Sequence, residues 1–304
     1  MSSKKENILI SVVGPTAIGK TALSILLANH FNAEIISCDS RQFFKEMSIG
    51  TAVPSEKELS AAKHHFIQNR SIFDVYNVGE FERDALKKLS ELFLKNNIVI
   101  MVGGSGLYVD AVINGLDKFP DIDPFIREQL NAELKENGIK RLQKKLKKLD
   151  PETYQNIAID NPHRIIRALE ICIGTGKTYS SFKNKPKTPR NFKSIKIGLT
   201  AEREILYNRI NQRVDNMIAH GLIDEAKRVY SNRNLNALQT VGYRELFSFF
   251  DKTNSKGFAI EEIKKNTRRF AKRQITWFKK DKNITWFDFK TDVKFILQFI
   301  EKNL

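Results

Sequence analysis

Gly14, Pro15, Thr16, Ala17, Ile18, Gly19, Lys20 and Thr21 fill every fixed position of the phosphate-binding loop pattern. Such a stretch offers anion capture. Its glycines let backbone N–H groups turn inward, Lys20 can reach terminal phosphates, Thr21 can ligate Mg²⁺, and a following helix presents its positive end. The pattern does not say which phosphate ester is held. A chance match in a glycine-rich turn is the competing explanation. It fails the context test, because the strand-like run Ile8–Val13 precedes the loop and a helix-like run over 22–30 follows it.

Other candidates are weaker and have to be weighed singly. A P-loop hydrolase ends a second strand in an acid that organises metal and water. Here Ile98, Val99, Ile100, Met101 and Val102 run into Gly103, Gly104, Ser105 and Gly106 with no carboxylate, which weakens an ATPase more than a small-molecule kinase. The nearest core acid is Asp39, beside Ser40, Arg41 and Gln42. Next to a bound diphosphate it can serve as a general base or metal ligand, and otherwise as a simple turn cap. A second Gly-Lys-Thr at Gly176, Lys177 and Thr178 is rejected: Ile171 stands where the pattern needs glycine, and a helical stretch precedes it. It reads as a helix end closed by glycine. His64 and His65 are adjacent, so their side chains diverge, and no acidic or cysteine cluster completes a metal sphere. Cys38 and Cys172 have no metal-ligand spacing and suggest a reducing compartment.

The elements that must position these residues follow from periodicity. Short apolar runs at Ile8–Val13, 34–38, 98–102 and 195–199 suit buried parallel strands, with helical patterns between them. This order predicts a P-loop NTPase-like, doubly wound α/β sheet with ligands at the carboxyl ends of its strands. Residues 1–120 and 190–304 are expected to form that core. Residues 121–189 lack β-branched runs and read as a helical insertion domain, with helices at Pro124–Asn137, Ile139–Leu149 and 161–172 and a Pro-rich linker at 182–189. The C-terminal region reads as mostly helical, over Arg203–Ala219, 224–230, Tyr243–Phe250 and 260–280.

Lys and Arg number 51 against 35 Asp and Glu, a formal charge of +16 over 304 residues, so polyanions are attracted. Nucleic acid and a Lys-rich bias on a metabolic enzyme both explain the total. The pattern over 260–280 favours nucleic acid. Ile260, Ile263, Phe270, Ala271, Trp277 and Phe278 gather on one side, expected to be core, and Lys264, Lys265, Arg268, Arg269, Lys272 and Arg273 on the other. Glu261 and Glu262 offset that charge only in the first turn, so a phosphate backbone suits this face better than solvent; a membrane-surface helix is the second option. No segment is long enough to span a bilayer, and a soluble cytoplasmic chain is expected.

Taken together, residues 14–21, the run Ser37, Cys38, Asp39, Ser40, Arg41, Gln42, the run Gly103, Gly104, Ser105, Gly106, Leu107, Tyr108, residues 161–170, the run Val241, Gly242, Tyr243, Arg244 and residues 271–277 closely resemble the tRNA dimethylallyltransferase (tRNA isopentenyltransferase) family, in order and over nearly the whole chain. The resemblance implies transfer of a dimethylallyl group from dimethylallyl diphosphate to N6 of the adenosine just 3′ of the anticodon (position 37), with diphosphate released. The phosphate loop would then hold a leaving group. It further implies Asp39 as the carboxylate facing the attacking amine and Arg213, with Arg209 as fallback, on the diphosphate. Ser105, where the family often has Thr, would hydrogen-bond near the adenine. Mg²⁺ near Thr21 is expected. Residues matching family contacts to tRNA are Asp39, Ser40, Arg41, Gln42, Ser105, Arg127, His163, Arg164, Ile165, Ile166, Arg167, Gln239, Thr240, Val241, Gly242, Tyr243, Arg244, Lys272, Arg273, Gln274, Trp277 and Lys279. The insertion would contact the anticodon stem-loop of a tRNA with an adenosine-rich loop. A monomer without structural zinc or a membrane partner is expected. A P-loop kinase or NTPase, and an adenylate isopentenyltransferase acting on free nucleotides, are the alternatives.

Overall fold

Alternation along the first strand dictates how the core is built. All six residues of β1, Ile8–Val13, are buried. Ile8, Ile10 and Val12 join one apolar cluster and Leu9 and Val13 another, so helices must cover both faces of the sheet. The remaining strands are β2 (Ile35–Ser37), β3 (His64–His65), β4 (Ile98–Gly103), β5 (Lys193–Thr200) and β6 (Ile284–Asp288). All pair in parallel, in the order β3-β2-β4-β1-β5-β6. Strand order reverses around β1 and β4, which opens a crevice at their carboxyl ends, where the phosphate loop and Gly103 to Ser105 emerge. The computed structural model describes residues 5–185 and 188–304. The first four residues, and 186 and 187 in the expected linker, lie outside the described residues.

The sheet has two strands that the sequence reading lacks. β3 is two residues long, too short for any periodicity, and it turns the rejected histidine pair into an edge strand: His65 Nε2 pairs with Glu34 Oε2 at 2.6 Å. β6 lies just beyond the last expected helix, in the region read as mostly helical, and pairs with β5, its Trp286 ring covering Gly198. Among the described residues no cluster of His, Cys, Asp or Glu could hold a metal ion, and no helix is long and apolar enough to cross a membrane.

The chain divides into two compact units, residues 1–114 with 190–304 and residues 115–189. The second unit thus begins at Gly115, six residues before the expected 121. Helices Pro124–Asn137, Ile139–Leu149, Pro151–Asn156 and Pro162–Thr175 enclose Leu130, Leu142, Leu146, Ile165, Ile166 and Leu169. Proline in the first turn and an Asp123 or Asn161 side chain accepting a backbone N–H start two of them. Gly176, with φ 67°, closes Pro162–Thr175, so the second Gly-Lys-Thr is a helix end.

Candidate active site

Phosphate-loop geometry is set by backbone that few residues tolerate. Gly19 has φ 109° where the loop turns into helix Lys20–Phe31, and a Cβ on Gly14 would lie 2.7 Å from the Leu199 carbonyl oxygen. Lys20 Nζ donates to the Pro15 carbonyl at 2.7 Å. Helix Arg203–Ala219 brings two arginines to the same loop: Arg213 Nη1 donates to Thr16 Oγ1 at 3.2 Å, and Arg209 Nε to the Ala17 carbonyl at 2.8 Å. Both rival arginines therefore reach it, one helical turn apart. Around them lies a chamber of about 500 Å³ that includes Lys20, Thr21, Ser37 and Asp39.

Burial lowers the Lys20 pKa to about 8, with Asp39 opposing the shift and Arg213 adding to it. Only the ammonium form attracts a phosphate, so affinity is full below that value and is lost as pH rises through it. We expect the ratio of wild-type to Lys20→Arg affinity for inorganic pyrophosphate to fall above pH 8, since arginine stays charged and the ligand's own titration cancels in the ratio. Isothermal titration at pH values on either side of about 8 checks this. A flat ratio would show that Lys20 keeps its charge throughout.

A second chamber of about 480 Å³ adjoins the first and is bordered by Ser40, Ser105, Tyr108, Met217, Phe270 and Trp277. Thr16, Asp39, Thr51, Arg213 and Gln274 line both. Asp39 thus stands at the junction. Its Oδ1 accepts the Arg41 N–H at 3.1 Å, so the turn-cap role holds for one of its two oxygens. Ser105 Oγ accepts the Ser40 N–H at 3.1 Å and lies 3.1 Å from Ser40 Oγ, which ties the end of β2 to the end of β4. Next to it, a Cβ on Gly106 would meet the Trp277 ring at 2.3 Å, so only glycine lets that indole lie against the loop. Trp277 Nε1 donates to Asp110 Oδ2 at 2.9 Å, which fixes the ring plane.

A family model described as IPP transferase matches residues 42–281, most of the chain. The chain belongs to the IPP transferase family. The phosphate loop precedes the matched span, and the alignments to full-length relatives extend beyond that span. The tRNA dimethylallyltransferase of Flavobacterium psychrophilum is 62% identical over 304 residues, covering 98% of this chain and 99% of the relative. The full-length tRNA isopentenylpyrophosphate transferase of Bacillus halodurans is 38% identical with a TM-score of 0.73, over 98% of this chain and 96% of that one. A eukaryotic dimethylallyltransferase captured acting on tRNA is 26% identical with a TM-score of 0.78, over 95% and 75%.

In this IPP transferase several of the residues matched to RNA contacts also have partners within the protein. Ile165 and Ile166 are core residues of the second unit. Tyr243 is fully buried, its hydroxyl donating to Glu225 Oε1 at 2.7 Å, and Gly242 is buried beside it. Gln274 is buried on helix Lys256–Phe278, which begins before the expected 260 and ends before 280. Arg41 and Gln42 hold backbone: Arg41 Nη1 donates to the Asn236 and Ala237 carbonyls, and Gln42 Nε2 to those of Thr51 and Ala52. Gln239 Nε2 donates to the Arg233 carbonyl at 2.6 Å. Arg127 and Arg167 both pair with the buried Glu170 carboxylate, and the Arg167 guanidinium lies 5.4 Å from the Phe119 ring centroid. Phe270, expected in the core, is 39% exposed and borders the second chamber. His163, Arg164, Arg244, Lys272, Arg273 and Lys279 are exposed, and Thr240 and Val241 partly so.

One supporting residue lies outside the sequence reading. Glu225, 2% exposed, accepts the N–H groups of Ser48, Ile49 and Gly50 at 2.8 to 2.9 Å as well as the Tyr243 hydroxyl. The loop it holds continues into Thr51, on the wall common to both chambers. No local pattern marks Glu225, because its backbone partners are distant in sequence.

Proposed function

We propose that this chain transfers a dimethylallyl group from dimethylallyl diphosphate to N6 of adenosine 37 in tRNA and releases diphosphate. One observation carries the reading: Asp39 and Arg213 stand on the wall shared by a chamber lined by the phosphate loop and a chamber bordered by aromatic rings. The diphosphate would lie on the phosphate loop, with the adenine entering the other chamber and the allylic carbon between them. The N6 lone pair forms the new C–N bond as the allylic C–O bond breaks. Its electron pair leaves on diphosphate, and the proton of N6 passes toward Asp39. Lys20 and Arg213 would neutralise the charge that develops on the leaving group, and Thr16 and Ser105 would orient the partners.

Mg²⁺ fits this donor set through its chemistry. Thr21 would offer its hydroxyl as one ligand to Mg²⁺, with diphosphate oxygens as others, as is common in phosphate sites. When bound it would supply charge neutralisation on the leaving group.

RNA would approach along the exposed end of helix Lys256–Phe278. The cationic face is uneven: Lys264 pairs with Asp215 at 2.8 Å and Lys265 with Glu262 at 2.7 Å, whereas Lys272, Arg273 and Lys279 are exposed. Replacing Lys272 and Arg273 with alanine is expected to weaken tRNA binding and lower its salt slope by about one per lost phosphate contact, and the Lys264/Lys265 pair to do so far less. Filter binding over a salt series measures both; equal effects would move the RNA path toward the first half of the helix. His163 and Arg164 of the second unit would add contacts to the anticodon stem-loop. Reaching N6 requires the base to leave its stack, at a cost of a few kcal/mol.

The deciding assay supplies Mg²⁺ with dimethylallyl diphosphate and unmodified tRNA, with AMP, or with ATP alone. Prenylated adenosine in digested tRNA is expected. ATP turnover without it would indicate a P-loop kinase or NTPase, and faster, salt-insensitive alkylation of AMP an adenylate isopentenyltransferase.

A further inference from the structure

Gln274 is a polar side chain on the buried stripe of a helix, 5% exposed, with both ends of its carboxamide bonded to main chain. Its Oε1 accepts the Thr16 N–H at 2.9 Å, and its Nε2 donates to the Gly104 carbonyl at 2.9 Å. One end meets a donor and the other an acceptor, so only one orientation of the amide satisfies both. Gly104 is shaped to it, since a Cβ there would fall 2.2 Å from Gln274 Nε2. The same helix sends Phe270, Arg273 and Trp277 to the second chamber, while Thr16 belongs to the phosphate loop and receives Arg213 on its hydroxyl.

We propose that Gln274 is a positioning residue that couples the two substrate sites, so that RNA on the long helix and a diphosphate on the phosphate loop each strengthen binding of the other. The physical link is short. A helix that settles against RNA carries the Gln274 carboxamide with it, and the carboxamide sets the peptide plane of Thr16 and hence the hydroxyl that Arg213 reads. The same contact runs backwards, as coupling between two binding equilibria must. The inference rests on the proposed assignment of diphosphate and tRNA to the two chambers, although it needs no chemistry to occur.

Inorganic pyrophosphate is therefore the probe, since it occupies the loop without reacting. Its dissociation constant is measured on the full-length chain by titration, with and without saturating unmodified tRNA and Mg²⁺. In the wild type tRNA is expected to tighten pyrophosphate by about 5- to 20-fold, within the usual range for coupled sites. Gln274→Met, which keeps the volume and removes both hydrogen bonds, is expected to bring that factor close to one. Gly104→Ala reaches the same contact from its other side by displacing the carboxamide, and is expected to do likewise even if the buried methionine impairs folding. A wild type that binds both ligands with no coupling, or variants that retain the full factor, would overturn the role of Gln274 alone. Failure of wild type to bind pyrophosphate or tRNA would overturn the site assignment and this inference with it.

Discussion

Asp39→Ala is expected to slow single-turnover prenyl transfer by about two orders of magnitude or more, while the dissociation constant for tRNA changes by less than about threefold. The exocyclic amine of adenine is a poor nucleophile, and a carboxylate that orients it and receives its proton acts mainly in the transition state. The structure adds a complication that Asn resolves. Asp39 Oδ1 accepts the Arg41 N–H, so alanine removes a turn cap as well as the base. Asp39→Asn keeps an acceptor for that N–H and removes the proton acceptor. If the base role dominates, both variants lose transfer to a similar extent. If the cap dominates, Asn recovers most of the activity. Near-normal single-turnover rates in both would dismiss the assignment of Asp39 to the reacting amine.

How much of this site the sequence reveals depends on the distance between partners. The phosphate loop is legible because its backbone geometry and its lysine lie within eight consecutive residues, directly after a strand. Asp39 and Ser105 are legible for a related reason: the ends of parallel strands are where such a sheet binds its ligands. Gln274 enters the sequence reading only through its match to the family's tRNA contacts, which says nothing of its bonds to Thr16 and Gly104. Yet Ala259, Ile263, Ala271, Gln274 and Phe278 are the buried positions of that helix, and a glutamine at an apolar spacing is itself a signal of a satisfied internal contact. Ile165 and Ile166 carry the plainer version of that signal, as apolar residues on the inward face of an amphipathic helix. β6 is illegible for another reason. Its Ile284, Thr285, Trp286 and Phe287 favour a strand, but the run is short and lies between helices, where only pairing with β5 decides its form. Glu225 has no local signal at all: on an isolated helix an acid beside Asp224 and before Lys227 looks solvated.

Glu225→Ala is expected to lower the unfolding free energy by about 3 kcal/mol or more, because it strands three backbone N–H groups and a phenol in a buried place. The loss has a graded series that tests its origin. Tyr243→Phe removes one donor and keeps the ring against Gly50, so about 1 kcal/mol is expected. Glu225→Gln should fall between them. Oε2 of Glu225 accepts from Ser48 and Ile49 and Oε1 from Gly50 and Tyr243, so either orientation of a glutamine sets its NH₂ end against backbone N–H. Denaturant unfolding with an unchanged m-value reads the series directly. Activity should follow for a geometric reason, measured where each variant remains folded. The loop released at Ser48 to Gly50 continues through Thr51 on the wall shared by both chambers, so the KM for dimethylallyl diphosphate is expected to rise with the instability. Stability losses in another order would mean that the phenol rather than the backbone loop is what Glu225 holds, and an unchanged KM in Glu225→Ala would separate that loop from the reaction.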